Sequence, residues 1–321
     1  MRGHVEKSEE TCYIHNMRFR PVALGIFCGV LILSLFSLAY GEESVRMPAA
    51  YQPLIQRLTQ DGFDPQFLTT LFLDGRAEPI PSRMSTSIIS REVPELYSQF
   101  LTAEATLSAK RFLRENSNLL GEMVNGFQVD QEIVVAILLV ESKFGENIGK
   151  WRVIPILASM AISDSPENLQ DSYGKLLEAE LLFSYDHVEG VAKKRANWAY
   201  QELKCFLKII RDEEMDPLEV RGSYAGALGM AQFVPSSYLA FAWSKKGLNH
   251  WLLSKEEAIF SVANYLKVHG WKKNLSLAKK KRILWSYNRS GPYIDTIIEV
   301  ARKLKPEASR KAPKSPVASR P

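Results

Sequence analysis

The sequence predicts a mainly α protein of the α+β class: a helical domain with a cleft, preceded by a smaller helical region. Three observations carry this. From residue 130 onward apolar side chains recur with helical period almost without interruption. Convincing strand alternation is nearly absent, and only 76–93 could hide a short strand pair. Several helical stretches also carry their own start and stop residues.

The bulk numbers fit a globular chain with a real core. Of 321 residues, 46% are hydrophobic and 24% charged. That length suits one large domain or two small ones. The formal net charge of +5 suits an anionic polymer such as the bacterial wall, suits nucleic acid equally well, and by itself decides neither.

The chain divides into four segments. In residues 1–41, Arg18 and Arg20 precede an uncharged apolar run, Val22 to Tyr40, and Ala39-Tyr40-Gly41 offers small residues where a signal peptidase cuts. Met17 gives a start with a normal short charged lead. The segment reads as a cleaved signal, with a retained membrane anchor through 22–40 as the alternative, since nineteen apolar residues nearly span a bilayer. Either way the bulk of the chain is expected outside the cytoplasm, in the periplasm or outer cell envelope. Residues 42–125 form the smaller helical region, with a helix over 98–120. Residues 126–305 form the main body, with helices near 130–143, 153–162, 168–185, 193–213, 235–243, 254–268, 276–286 and 291–304. Residues 306–321, proline-rich and basic with almost no large apolar side chain, are expected to be disordered.

Helix ends are marked at three places. Ser254 with Glu257 has capping-box spacing, and Gly270 is a stop signal. Asp130 is placed to cap the next helix, with Val129 and Val134 at hydrophobic-staple positions. Cys205 is the one thiol beyond the targeting segment, so it makes no intramolecular disulfide and reads as a buried structural residue.

The helix after Asp130 runs Ile133-Val134-Val135-Ala136-Ile137-Leu138-Leu139-Val140-Glu141. It is apolar nearly all round, as a buried helix is. Glu141 lies on the face of Ile137 and Leu138. Desolvation there disfavours the carboxylate and keeps a proton on it, which is what a general acid needs. The structural alternative is a Glu that ends the helix in solvent and pairs with Lys143 or Lys150. Further along, Gly222, Gly226 and Gly229 let a backbone approach a ligand closely. Ser223 and Gln232 offer neutral hydrogen bonds. Tyr265, Tyr287 and Tyr293 offer flat amphipathic faces suited to sugar rings, or simply core packing. Asn288 both donates and accepts, as an N-acetyl group requires.

Four ordered blocks carry a family resemblance across roughly residues 128–304. They are Val140-Glu141-Ser142-Lys143-Phe144-Gly145, the seventeen residues from Gly222 to Tyr238, the segment Ser261 to Trp271, and Tyr287-Asn288-Arg289-Ser290-Gly291-Pro292-Tyr293. In this order they resemble the lytic murein transglycosylases, in particular the family of membrane-bound lytic murein transglycosylase B. The resemblance implies a lysozyme-like fold, with Glu141 as the sole catalytic acid/base. It implies saccharide-binding or catalytic-site hydrogen bonds at Ser223 and Gln232, and wall contacts at Tyr265, Tyr287, Asn288 and Tyr293. It implies a lyase reaction on peptidoglycan glycan strands: cleavage of the β-1,4 bond between N-acetylmuramic acid and N-acetylglucosamine, with the muramoyl 6-hydroxyl closing on C1 to give a 1,6-anhydro end. No cofactor, no metal and no nucleic acid enters, and the protein is expected to be a monomer.

The blocks hold no second carboxylate that demands a catalytic role, and Asp164 and Glu146 read as solvated. Substrate-assisted glycosidases manage without one. The family's acidic calcium loop is replaced here by Trp243-Ser244-Lys245-Lys246-Gly247-Leu248-Asn249-His250, two lysines and no acid, so a calcium site is not expected. Met230-Ala231 stands where an aromatic-glycine pair is common. Two other readings compete: a hydrolytic muramidase with a second carboxylate, and an inactive wall-binding protein. Nucleic-acid binding through Lys279–Arg282 is more remote, since a lysine-rich run is usually a solvated helix face.

Overall fold

The computed structural model describes residues 48–85, 94–211, 215–245 and 254–306. The export segment, nearly all of the basic tail and residues 246–250 of the 243–250 loop lie outside them. Helices follow one another in the order α1 (Gln52–Gln60), α2 (Pro65–Leu73), α3 (Pro81–Met84), α4 (Ala103–Glu115), α5 (Ser117–Phe127) and α6 (Gln131–Ser142). After strand β1 (Trp151–Arg152) come α7 (Val153–Ala161), α8 (Pro166–Glu178) and α9 (Tyr185–Arg211). After β2 (Arg221–Gly222) come α10 (Pro235–Phe241), α11 (Lys255–Val268), α12 (Leu277–Tyr287) and α13 (Gly291–Leu304). The fold is mainly α, as the periodicity predicts.

The apolar helices form the centre. Every residue of α7 is buried, and in α6 Ile133 through Leu139 are buried without a break. α9 packs along α7, and α13 packs along α6. Residues before 126 share this core. The Tyr51 hydroxyl bonds Ser159 Oγ on α7 at 3.1 Å, and Ser159 Oγ accepts from the Ile80 N–H at 2.8 Å. The guanidinium of Arg76 binds Asp74, Asp216 and Glu219, tying the segment after α2 to the stretch leading into β2. Arg76 holds the Asp74 carboxyl well down, to about 2.

Several expectations change. The helix foreseen over 98–120 breaks in two, with a 3-10 turn over Pro94–Leu101 ahead of it. Asn116 sits at the break and turns its amide onto the Phe112 carbonyl at 2.8 Å. The strand pair does not lie in the described part of 76–93, where residues 75–77 and 81–84 are helical. The pair instead joins β1 to β2 in antiparallel register, Trp151 opposite Gly222 and Arg152 opposite Arg221. Asp130 occupies the N-cap position of α6 but makes no capping bond there. Its carboxylate bonds Lys280 of α12 instead, a partner only tertiary structure supplies. Ser254 does cap α11: its Oγ accepts from the Glu257 N–H at 3.1 Å. Asp164 is half-buried rather than solvated, and burial pushes its carboxyl up. Cys205 is half-buried, and burial pushes its thiol up, so it is an inert thiol rather than a nucleophile.

Among the described residues no single helix is long and apolar enough to cross a membrane, and no group of three His, Cys, Asp or Glu is placed to hold a metal ion.

Candidate active site

Helix α6 ends in an unusual way, and that ending builds the site. Lys143, Phe144 and Gly145 all adopt positive φ, at 50°, 61° and 94°. Left-handed backbone costs a non-glycine residue about 1–2 kcal/mol, so the neighbours must hold it. Buried Ser142 does much of this: its hydroxyl donates to the Met230 carbonyl at 2.7 Å and accepts from the Gly145 N–H at 3.0 Å. Phe144 stacks on Phe112, with centroids 4.2 Å apart. The turn lifts the chain off the helix axis and leaves Glu141, in the last turn, half-buried at a cleft of about 590 Å³.

The cleft brings together Glu141, Ser223 and Gln232, three of the residues singled out in the sequence. Its remaining wall is the segment 146–151 and Tyr224. Gly149, at φ +95°, lets this wall lie directly on β2; a Cβ there would sit 2.0 Å from the Gly222 carbonyl oxygen. Ser223 Oγ accepts from the N–H groups of Ala225 at 3.1 Å and Ala227 at 3.0 Å, which fixes the glycine loop and leaves the hydroxyl proton to donate outward. Gln232 Nε2 donates to the carbonyls of Ile148 at 3.2 Å and Gly229 at 2.7 Å. Two carbonyls facing one atom require it to be the NH₂ group, so Oε1 is left to accept from a ligand.

Of the two readings open for the tyrosines, sugar-facing rings or core packing, Tyr265 and Tyr293 take the second. Tyr293 is only 1% exposed, so its ring is not an open platform. Its hydroxyl donates to Glu141 Oε1 at 2.6 Å, a charge-assisted length. Burial first, and then the charge of Glu141, pushes the Tyr293 phenol well above 10, so it keeps the proton it donates. The same two causes hold Tyr287 protonated. Tyr287 donates to the Ala231 carbonyl at 2.6 Å, bracing the turn that carries Gln232. Tyr265 is buried, pushed up to about 12 by that burial, donates to the Ser286 carbonyl, and packs edge-on to Tyr287. Tyr265 and Tyr287 therefore brace the site from behind. Asn288 is half-buried at the C-terminus of α12, its N–H bonded to the Leu284 carbonyl.

Two cleft residues escaped the sequence reading. Trp151 is 40% exposed and Tyr224 61% exposed, and both line the cleft. An exposed aromatic side chain on a short braced strand is a better sugar platform than a buried one. The available signal was position: Trp151 follows the first block by only a few residues, and Tyr224 lies inside the second. Trp151→Ala is expected to raise KM by about ten-fold while leaving kcat within about two-fold, the scale of one aromatic contact. Steady-state kinetics on soluble glycan fragments check this; an unchanged KM would remove Trp151 from the binding surface. Tyr293→Phe is expected to lower kcat by about a hundred-fold, since it frees the acid from its orienting donor. Steady-state kinetics on soluble glycan fragments check this; a kcat within about two-fold of wild type would contradict the orienting role.

Glu146 also lines the cleft, although it is exposed. It is the carboxylate nearest in sequence to Glu141 on that surface.

A family model described as "Transglycosylase SLT domain" matches residues 47–283. The membrane-bound lytic murein transglycosylase B of Escherichia coli (strain K12) is 29% identical over 250 residues, which cover 74% of this chain. The chain spans 62% of that relative's own length. Among solved structures, the Escherichia coli lytic transglycosylase SLT35 in complex with bulgecin A superposes with a TM-score of 0.63 at 23% identity, covering 80% of this chain and 92% of that one. SltB3 from Pseudomonas aeruginosa in complex with NAG-anhNAM-pentapeptide gives 0.60 at 20% identity, covering 79% and 78%. At those identities the structures speak for the fold alone: lysozyme-like and mainly α. The family match spans most of the chain and includes Glu141, Ser223, Gln232 and Tyr265, and on it the chain belongs to the Transglycosylase SLT domain family.

Proposed function

We propose that the protein is a lytic transglycosylase. It cleaves the β-1,4 bond between N-acetylmuramic acid and N-acetylglucosamine in peptidoglycan and leaves 1,6-anhydromuramoyl ends. The observation that carries this reading is Glu141 in the cleft with the Tyr293 hydroxyl 2.6 Å from its Oε1. In the proposed reaction Glu141 protonates the glycosidic oxygen as the bond to C1 breaks. It then takes the proton of the muramoyl 6-hydroxyl as that oxygen closes on C1. The proton returns to the carboxyl group and no water is consumed. The Tyr293 hydroxyl holds Oε1, which orients the carboxyl group at the cleft. Ser223 and the free oxygen of Gln232 line the same cleft and suit hydroxyl and N-acetyl groups. Asn288 lies at the end of α12, five residues before Tyr293 in the link to α13, and we assign it a substrate contact.

One observation favours a second reading. Glu146 lines the same cleft, and a hydrolase would use it to activate water. Digestion of isolated sacculi by wild type, Glu141→Gln and Glu146→Gln separates the two. Anhydro ends from wild type and from Glu146→Gln, with none from Glu141→Gln, support the transglycosylase. Reducing ends that depend on Glu146 would overturn it.

The export reading of residues 1–41 fits this substrate, which lies outside the cytoplasm. We assign the protein to the periplasmic side of the envelope, acting on glycan strands as a monomer without cofactor, with the apolar run 22–40 either cleaved or kept as an anchor.

A further inference from the structure

Residues 258–294 form a run of 37 without an Asp or Glu, and they carry eight Lys and Arg. The proposed cleft chemistry uses none of those cations. Two are neutralised by partners on other helices: Lys280 by Asp130 and Lys281 by Asp295. Lys267 is spent on the Gly126 carbonyl. The other five, Lys272, Lys273, Lys279, Arg282 and Arg289, are exposed and make no ion pair among the described residues. The remaining acidic group on the adjoining helix, Glu299 of α13, is committed to Arg302.

Helix α12 adds an apolar component to this basic surface. Its core side is Ile283, Leu284 and Tyr287. At 100° per residue, the opposite pole is the line Ala278, Arg282, Trp285. Trp285 is 49% exposed there and Leu277, on the flank, 55% exposed. The fold gains little from an indole at its solvent pole. Arg282 stands one turn before it, and exposed Lys279 lies on the flank a further turn back; such side chains lay their aliphatic stems along apolar surface while their charges reach outward. A soluble polyanion needs the cations alone. A bilayer interface uses both, because the indole settles at headgroup level while the cations meet anionic lipid.

We propose that the outward face of α12, with Lys272 and Lys273 of the preceding turn, docks the protein peripherally on an anionic phospholipid surface. This contact is independent of the apolar segment 22–40 and of the cleft chemistry. It would hold the body of the protein at a membrane even where that segment has been removed.

The test uses residues 44–321, which form a compact unit by themselves, so that residues 22–40 contribute nothing. Vesicles of phosphatidylcholine mixed with phosphatidylglycerol are compared with phosphatidylcholine alone by co-sedimentation. The expected result is binding to the anionic vesicles only. Lys279→Gln with Arg282→Gln should lower the partition coefficient about thirty-fold, at about five-fold per cation. Trp285→Ser should lower it further, and comparison with Trp285→Phe should assign a vesicle-induced blue shift in emission to Trp285. All variants should keep the wild-type melting temperature and the wild-type rate on soluble glycan fragments, which separates this proposal from the reading of the cleft. Equal binding to both vesicle types would overturn it. So would vesicle binding indifferent to Trp285→Ser, or charge variants that lose binding to sacculi while vesicle binding is unchanged. That last outcome would give the face to the wall polymer.

Discussion

Glu141→Gln is expected to lower turnover of isolated sacculi by about a thousand-fold or more, with melting temperature and wall binding unchanged. The amide has the shape of the carboxyl group, so the Tyr293 hydroxyl can still donate to the amide oxygen. What the amide cannot do is give up a proton or take one back. The proposed reaction asks one group for both steps, and a thousand-fold corresponds to about 4 kcal/mol of barrier. The clean comparison is with Tyr293→Phe, which leaves the acid in place but removes this one donor to it. The two variants touch one hydrogen-bonded unit, so their effects should not add. The double variant Glu141→Gln/Tyr293→Phe should be no slower than Glu141→Gln alone. Product analysis, differential scanning calorimetry and pelleting with sacculi together check it. Activity of Glu141→Gln within ten-fold of wild type would move the general acid elsewhere, with Glu146 the first place to look.

Glu141 is the part of this site that sequence shows best, and the reason is local. A helix apolar on all sides that ends in a carboxylate contradicts its own composition, and that contradiction is visible within nine residues. The company it keeps was only partly visible. Ser223 and Gln232 could be proposed from a glycine-rich block, but their division of labour could not. Gln232 spends its amide protons on Ile148 and Gly229, and nothing in the block announces that. The sequence leaves Tyr293 two readings, a sugar-facing ring or core packing, and cannot choose between them. Its role depends on α13 lying along α6, a contact between residues 152 apart. The failed cap at Asp130 has the same origin: a short-range rule lost to Lys280, 150 residues away. Trp151 and Tyr224 were missed because an exposed aromatic residue leaves no periodic trace; it is recognisable only once the cleft exists.

Gly149→Ala is expected to cost about 3–5 kcal/mol of stability, combining a strained backbone with an overpacked contact. The added Cβ would lie 2.0 Å from the Gly222 carbonyl oxygen, 2.1 Å from its carbon and 2.4 Å from the Ser223 nitrogen. All three are backbone atoms, so no side chain can rotate away. The backbone must move, and β1 must part from β2. Gly62 supplies the control. It has nearly the same φ, +90°, yet a Cβ there meets nothing within 4 Å. Gly62→Ala should therefore cost only the conformational part, about 1–2 kcal/mol. The difference between the two variants isolates the steric part. For a chain of this size, 3–5 kcal/mol lowers the melting temperature by about 10 °C. The functional consequence follows from what rides on that contact. Trp151 stands on β1, Ser223 follows β2, and the Ile148 carbonyl holds Gln232. Parting the strands widens the cleft at all three, so Gly149→Ala should raise KM below its own melting temperature, where Gly62→Ala should not. Equal losses of stability in the two alanine variants would mean that the chain relaxes around the clash, and that the close approach at Gly149 does not set the cleft.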